Sequence, residues 1–126
     1  MSNTTKNLGN TGEILAATFL ENHGYKILEK NFRIRSAEID IIAEKDNVII
    51  FVEVKTRSNI SKGTPAEAVN LRKQKKIIEA ASVFLQDENF CECACRFDVI
   101  EIFAVGKDFK INHIENAFEV VSEYWK

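Results

Sequence analysis

The segment Val48-Ile-Ile-Phe-Val-Glu-Val-Lys55 constrains this chain more than any other. Side chains alternate along a strand, so Val48, Ile50, Val52 and Val54 share one face while Ile49, Phe51, Glu53 and Lys55 share the other. Both sets are mainly apolar, which marks a central strand covered on both sides. A carboxylate at Glu53 in such a strand is costly unless it is paired, protonated or bound to metal.

The rest of the chain organises around that strand. Its 126 residues suit one domain over 1–126, without repeat, linker or low-complexity tract. A first helix is expected from about Leu8 or Thr11 to His23, with Leu15, Phe19, Ala16 and Leu20 as its apolar stripe and Gly24 as its cap. Tyr25–Arg35, Ile39–Glu44 and Val48–Thr56 read as three strands, the last two joined by the turn pair Asp46-Asn47. Thr64-Pro65-Ala66-Glu67 carries a capping box with proline at the first helical position. The helix restarts at the capping residue Asn70 and runs to about Gln86, with Ile77, Ile78, Ala81, Phe84 and Leu85 facing the core. Arg96–Ala104 reads as a fourth strand, turning at Val105-Gly106-Lys107-Asp108 into a short fifth, Phe109–Ile114. The order α-β-β-β-α-β(-β) describes an α/β sandwich on a mixed sheet.

The hairpin register brings a second carboxylate into play. A loop of two or four residues centred on Asp46-Asn47 sets Asp40 directly opposite Glu53 on one face. Opposed side chains have Cβ atoms about 4.5–5.5 Å apart, so these acids repel unless a positive charge lies between them. The same register sets Glu38 opposite Lys55; a three-residue loop would send Asp40 to the other face. Two convergent carboxylates suit a hard cation such as Mg²⁺ or Mn²⁺, which would neutralise a scissile phosphate and hold a water for in-line attack. Lys55 would orient or deprotonate that water, or stabilise charge on the phosphate. The plainer alternative is a Glu53–Lys55 or Glu38–Lys55 ion pair at a strand end.

Charge distribution bears on the partner. The formal net charge is −2, yet Lys55, Arg57, Lys62, Arg72, Lys73, Lys75 and Lys76 face only Glu67 over their stretch, whereas from Ile77 onward ten acids outnumber four bases. Such a run is either a solvated helix face or a polyanion contact. Cys91, Cys93 and Cys95 form a Cys-x-Cys-x-Cys cluster of odd number, matching neither a secreted disulfide framework nor a common zinc spacing; reduced thiols leading into a strand are expected. The polar start Met1–Asn7 and the short apolar runs point to a cytoplasmic protein with no membrane segment. Neither a glycine-rich phosphate loop nor a His-Glu-x-x-His motif is present.

Asp40 followed by Glu53-x-Lys55 on the next strand resembles the PD-(D/E)xK signature of restriction-endonuclease-like folds. More specifically, the chain resembles the bacterial YraN family of predicted endonucleases, distant relatives of archaeal Holliday-junction resolvases. The likeness rests on Gly12-Glu13, Glu38-Ile-Asp40, Phe51-Val-Glu-Val-Lys-Thr-Arg57, Pro65-Ala-Glu-Ala-Val69, Arg72-Lys-Gln-Lys75, Arg96-Phe-Asp-Val99 and His113-Ile-Glu-Asn-Ala-Phe118, which cover nearly the whole chain in order. It implies a restriction-endonuclease-like αβββαβ sandwich and a Mg²⁺- or Mn²⁺-dependent endonuclease acting on DNA, with branched or recombining substrates and a homodimer as further expectations. It also implies Asp40, Glu53 and the Val54 carbonyl as metal ligands, Lys55 as the catalytic lysine and Glu13 as an additional acid. Read alone, Glu13 is a first-turn acid complementing the helix dipole. Arg57, Lys62, Arg72, Lys73, Lys75 and Lys76 would hold phosphates. Gln74 stands where related exonucleases carry a glutamine, but Ile78 replaces the tyrosine that would follow. Ser36-Ala37 and Asn10-Thr11 replace small glycines and basic residues common at those places in the family. A nucleic-acid-binding or partner-binding module without turnover, or a subunit active only in a complex, remain the other readings, since fold alone does not establish chemistry.

Overall fold

The computed structural model describes residues 4–57, 69–87 and 93–119, with side chains from residue 11 onward. Helix α1 (Thr4–Asn22) precedes the antiparallel strands β1 (Lys26–Ile34), β2 (Ala37–Lys45) and β3 (Val48–Arg57); helix α2 (Leu71–Asp87) then leads to β4 (Ala94–Val105) and β5 (Asp108–Phe118). The five strands form one sheet in the order β1-β2-β3-β4-β5, antiparallel except for the β3–β4 pair. This is the expected α/β architecture on a mixed sheet, with β3 and β4 at or near its centre. Helix α1 begins earlier than its apolar stripe suggests, and the fifth strand is longer than expected. The capping box at Thr64–Glu67 lies outside the described residues.

Local chemistry explains the connections. Gly24 has φ +88° and closes α1 as a Schellman motif: Tyr25 N–H donates to Leu20 O at 3.0 Å and Gly24 N–H to Glu21 O at 3.2 Å. Asp46 and Asn47 both have positive φ, 53° and 65°, as a two-residue type I′ hairpin requires, and Lys45 pairs with Val48. Asn70 caps α2, its Oδ1 accepting the Lys73 N–H at 2.9 Å.

Each face of the sheet has its own core. Ile49 and Phe51 pack with Ile77, Ile78, Ala81 and Phe84 of α2, while Ile50 and Val52 pack with Ala16, Ala17 and Leu20 of α1. The alternation read along β3 therefore assigns its two faces to two different helices. At Gly12 the helix lies so close to β3 that an added Cβ would clash with Thr56 Oγ1, so glycine is what allows this approach.

Candidate active site

The β2–β3 ladder runs from Lys45↔Val48 to Ile41↔Val52 and then gives way to a side chain. Asp40 and Glu53 are the next residues on the two strands. Asp40 Oδ2 accepts the Val54 N–H at 2.8 Å, so the carboxylate occupies a backbone partner's place. Strand β2 also changes face here. Ile39 packs in the α2 core and Ile41 in the α1 core, although residues two apart on an undisturbed strand share a face. Across from Asp40, between the pairs Lys30↔Ile41 and Phe32↔Ile39, stands Asn31 with φ 54°. The irregularity aims Asp40 at the Val54 N–H, within the electrostatic field of Glu53, much as bulges re-aim side chains beside active sites.

Glu53 is buried, and two amines meet at its Oε2: Lys55 Nζ at 3.3 Å and Lys73 Nζ of α2. No ion pair among the described residues involves Asp40. Burial, then the charge of Glu53, raises the Asp40 carboxyl to about 7, only partly opposed by the Val54 N–H. Glu13 belongs to the same field: burial and then Glu38 push its carboxyl up, with a smaller push from Glu53, while Asn31 hydrogen-bonds to it. Burial and the neighbouring Lys73 hold the Lys55 amine below the usual lysine range, against the pull of Glu53. Burial works to lower Lys73 as well, but its bonding to Glu53 and Lys55 leaves it above the ordinary value.

The remaining sequence candidates are placed differently from one another. Glu38 does not meet Lys55; its Oε2 pairs with Arg33 on β1 at 3.0 Å, because the β2–β3 ladder ends before reaching it. Arg57 lies on the same strand face as Lys55, but its Nε donates to the buried Glu101 of β4 at 2.8 Å. Arg72, Lys75 and Lys76 are exposed on α2, whereas Lys62 lies outside the described residues. Gln74 Nε2 donates to Val69 O at 2.8 Å and so braces the start of its own helix. Cys93 and Cys95 carry free thiols, that of Cys95 pushed up to about 11 by burial; Cys91 lies outside the described residues.

Two features escaped sequence reasoning. Lys73 was expected at a phosphate and instead reaches Glu53. The parallel β3–α2–β4 connection carried that signal, since a crossover helix starts at the carboxyl end of its strand, where α/β sheets assemble their sites. The second is a clamp on the α1 face. Asp98 accepts Arg96 Nε at 2.9 Å, His113 Nε2 lies 2.7 Å from its Oδ2, and the Asn116 N–H donates to its Oδ1 at 2.9 Å.

The described residues thus form two helices and a five-strand α/β sheet, gathering two acids and two lysines at the carboxyl end of a central strand. The chain belongs to the family described as "Uncharacterised protein family UPF0102", whose profile matches residues 12–102. It is 50% identical over 113 residues to a UPF0102 protein of Clostridioides difficile, covering 90% of this chain and 97% of the relative. It is 49% identical over 120 residues to one of Geobacter metallireducens (95% and 98%), and 47% identical over 116 residues to one of Caldanaerobacter subterraneus subsp. tengcongensis (90% and 95%).

Proposed function

We propose that this protein is a metal-dependent endonuclease of the YraN kind that hydrolyses DNA phosphodiesters through Asp40, Glu53 and Lys55. The observation that carries the reading is Asp40 beside Glu53: the two acids lie where the β2–β3 ladder ends, and no cation pairs with Asp40 among the described residues, although two lysines already meet Glu53.

The donor set fits a hard divalent cation. A largely buried Asp40 whose proton affinity is raised by burial and by the neighbouring Glu53 favours a bound positive charge, and Mg²⁺ and Mn²⁺ prefer such oxygens. As the family resemblance implies, Asp40, Glu53 and the Val54 carbonyl would be its protein ligands and water would complete the shell; no group of three or more His, Cys, Asp or Glu side chains among the described residues is placed to hold a metal, so Glu13 would stand outside that shell. Bound there, the cation would supply charge neutralisation at the phosphate and a more acidic water. The chain's own residues do the rest. Lys55, with its amine held toward the neutral form, orients the attacking water or takes its proton. Glu13 extends the acidic wall. The exposed Arg72, Lys75 and Lys76 beside Lys73 hold flanking phosphates and carry no base information. DNA, rather than another phosphodiester, enters through the family resemblance.

The test is a nicking assay on duplex, single-stranded and branched DNA with Mg²⁺ or Mn²⁺. Wild type should cleave, and Asp40→Asn and Glu53→Gln should abolish the reaction. Equal rates in wild type and both variants would end the assignment. A second reading has one observation in its favour: Glu53 already has two amine partners, as in a purely structural ion cluster. That reading, a nucleic-acid-binding or partner-binding module without turnover, requires metal-free binding unaffected by Asp40→Asn and no cleavage of any substrate.

A further inference from the structure

Lys73 occupies a position that helix energetics disfavour. It lies in the first turn of α2, after the cap Asn70, and that turn carries no acid. Arg72, Lys75 and Lys76 add to the charge. A helix N-terminus is itself partially positive, so cations gathered there need an anion close by. The anion the fold provides is Glu53, whose Oε2 Lys73 shares with Lys55. A divalent cation held by Asp40 and Glu53 would face both ammonium groups at short range, and all three charges cannot crowd one oxygen of a buried carboxylate. Lys55 sits two residues along the same strand and is the less exposed of the two, its side chain 26% exposed against 40% for Lys73. Lys73 comes from a separate element, its long flexible stem beside exposed basic neighbours.

Resting on the metal-dependent reading, we infer that Lys73 is an internal counter-ion: it holds Glu53 when no divalent cation is bound, is displaced by that cation, and passes to a phosphate of the nucleic acid. The exchange makes cation and polyanion binding help one another, because the released ammonium needs a new anion and the phosphate backbone supplies it. Coupling of this kind is reciprocal in the two affinities.

The test measures binding rather than turnover. Titration of nucleic-acid-free protein with Mn²⁺ by calorimetry should show Lys73→Met binding about tenfold tighter than wild type, the gain expected if the competitor leaves the site open about a tenth of the time. Lys73→Arg should keep the wild-type affinity. Lys26→Met, which removes the same charge at the far end of the β1–β2 pair, should also leave it unchanged. In fluorescence anisotropy, wild type should hold a short DNA duplex more tightly in Ca²⁺ than in chelator, and Lys73→Met should lose most of that difference. If Lys73→Met does not fold, Lys73→Gln, which keeps a donor to Glu53 without the charge, carries the same comparison. Equal or weaker Mn²⁺ binding in the uncharged variants overturns the counter-ion role and leaves the nuclease reading intact. Folded wild type and variants that bind no Mn²⁺ would overturn the metal-dependent reading and this inference with it.

Discussion

Asp40 is held in a state that costs the fold stability. Its carboxyl, ordinarily near 3.8, is raised to about 7 by burial and by Glu53. Between those two values the folded chain binds more protons than the unfolded one, so stability falls as pH rises from about 4 to about 7 and then levels off. Asp40→Asn keeps an acceptor for the Val54 N–H and removes the charge. In chelator at pH 8 it should therefore be more stable than wild type by about 1–2 kcal/mol, discounting the full shift for partial exposure. Thermal melts should show the gap closing below about pH 4, and Mn²⁺ should close it from the other side by stabilising wild type alone. A variant melting at or below wild type in chelator at pH 8 would mean that burial and Glu53 do not strain the charged Asp40. Lys55 makes a kinetic prediction of the opposite sense. Its depressed amine should appear as a rising limb in the pH–rate profile below the ordinary lysine range. Lys55→Arg, charged at every accessible pH, should lower the rate by about 10²–10⁴-fold and remove that limb. Persistence of the limb in the arginine variant would assign it to another group.

At the level of elements, what the sequence disclosed was what neighbouring residues decide among themselves. The Gly24 cap, the Asp46-Asn47 turn and the Asn70 cap each depend on a few adjacent residues, and each stands as read. With that turn fixed, the pairing of β2 with β3 followed, and with it the meeting of Asp40 and Glu53. Glu38 was misplaced because the reading carried a regular ladder past the point where Asp40's side chain replaces it. Lys73 was assigned to phosphate alone because its contact with Glu53 depends on how α2 crosses the sheet. The Asp98 clamp was hidden for the same reason, since His113 and Asn116 reach it only through an irregular β4–β5 register between Phe97 and Val99. That clamp yields its own prediction. Burial alone would raise the Asp98 carboxyl, but His113, Arg96 and the Asn116 N–H outweigh it and hold it below the ordinary value. Its contribution is therefore fully present above about pH 4 and is lost as pH falls through its lowered folded value. Asp98→Ala strands Arg96 and His113 around a side chain that is fully buried in wild type, so urea denaturation at pH 7 should show a loss of about 3–5 kcal/mol. A loss under about 1 kcal/mol would show that the β4–β5 ladder and its packing hold β5 without the clamp.

For the whole molecule, the sign of the charge and the proposed partner pull against each other. A chain of net charge −2 and pI near 5.7 offers no general attraction to a polyanion. The proposed association would then depend on the local positive field at the start of α2, where the helix end and its basic side chains add together next to the carboxylates. This makes binding unusually sensitive to few residues. A uniformly basic protein loses little when two cations go, because others take up the phosphates; here none of comparable density exists among the described residues. Arg72→Gln with Lys76→Gln, both exposed, should leave the fold intact. The pair should nevertheless weaken duplex binding steeply, and should flatten the plot of log affinity against log salt by about 0.9 for each phosphate no longer neutralised. Sequence preference should not change, since side chains bonded to phosphate read no bases. An unchanged salt slope in the double variant would move the nucleic acid to another surface and detach the basic helix from the Asp40–Glu53 site.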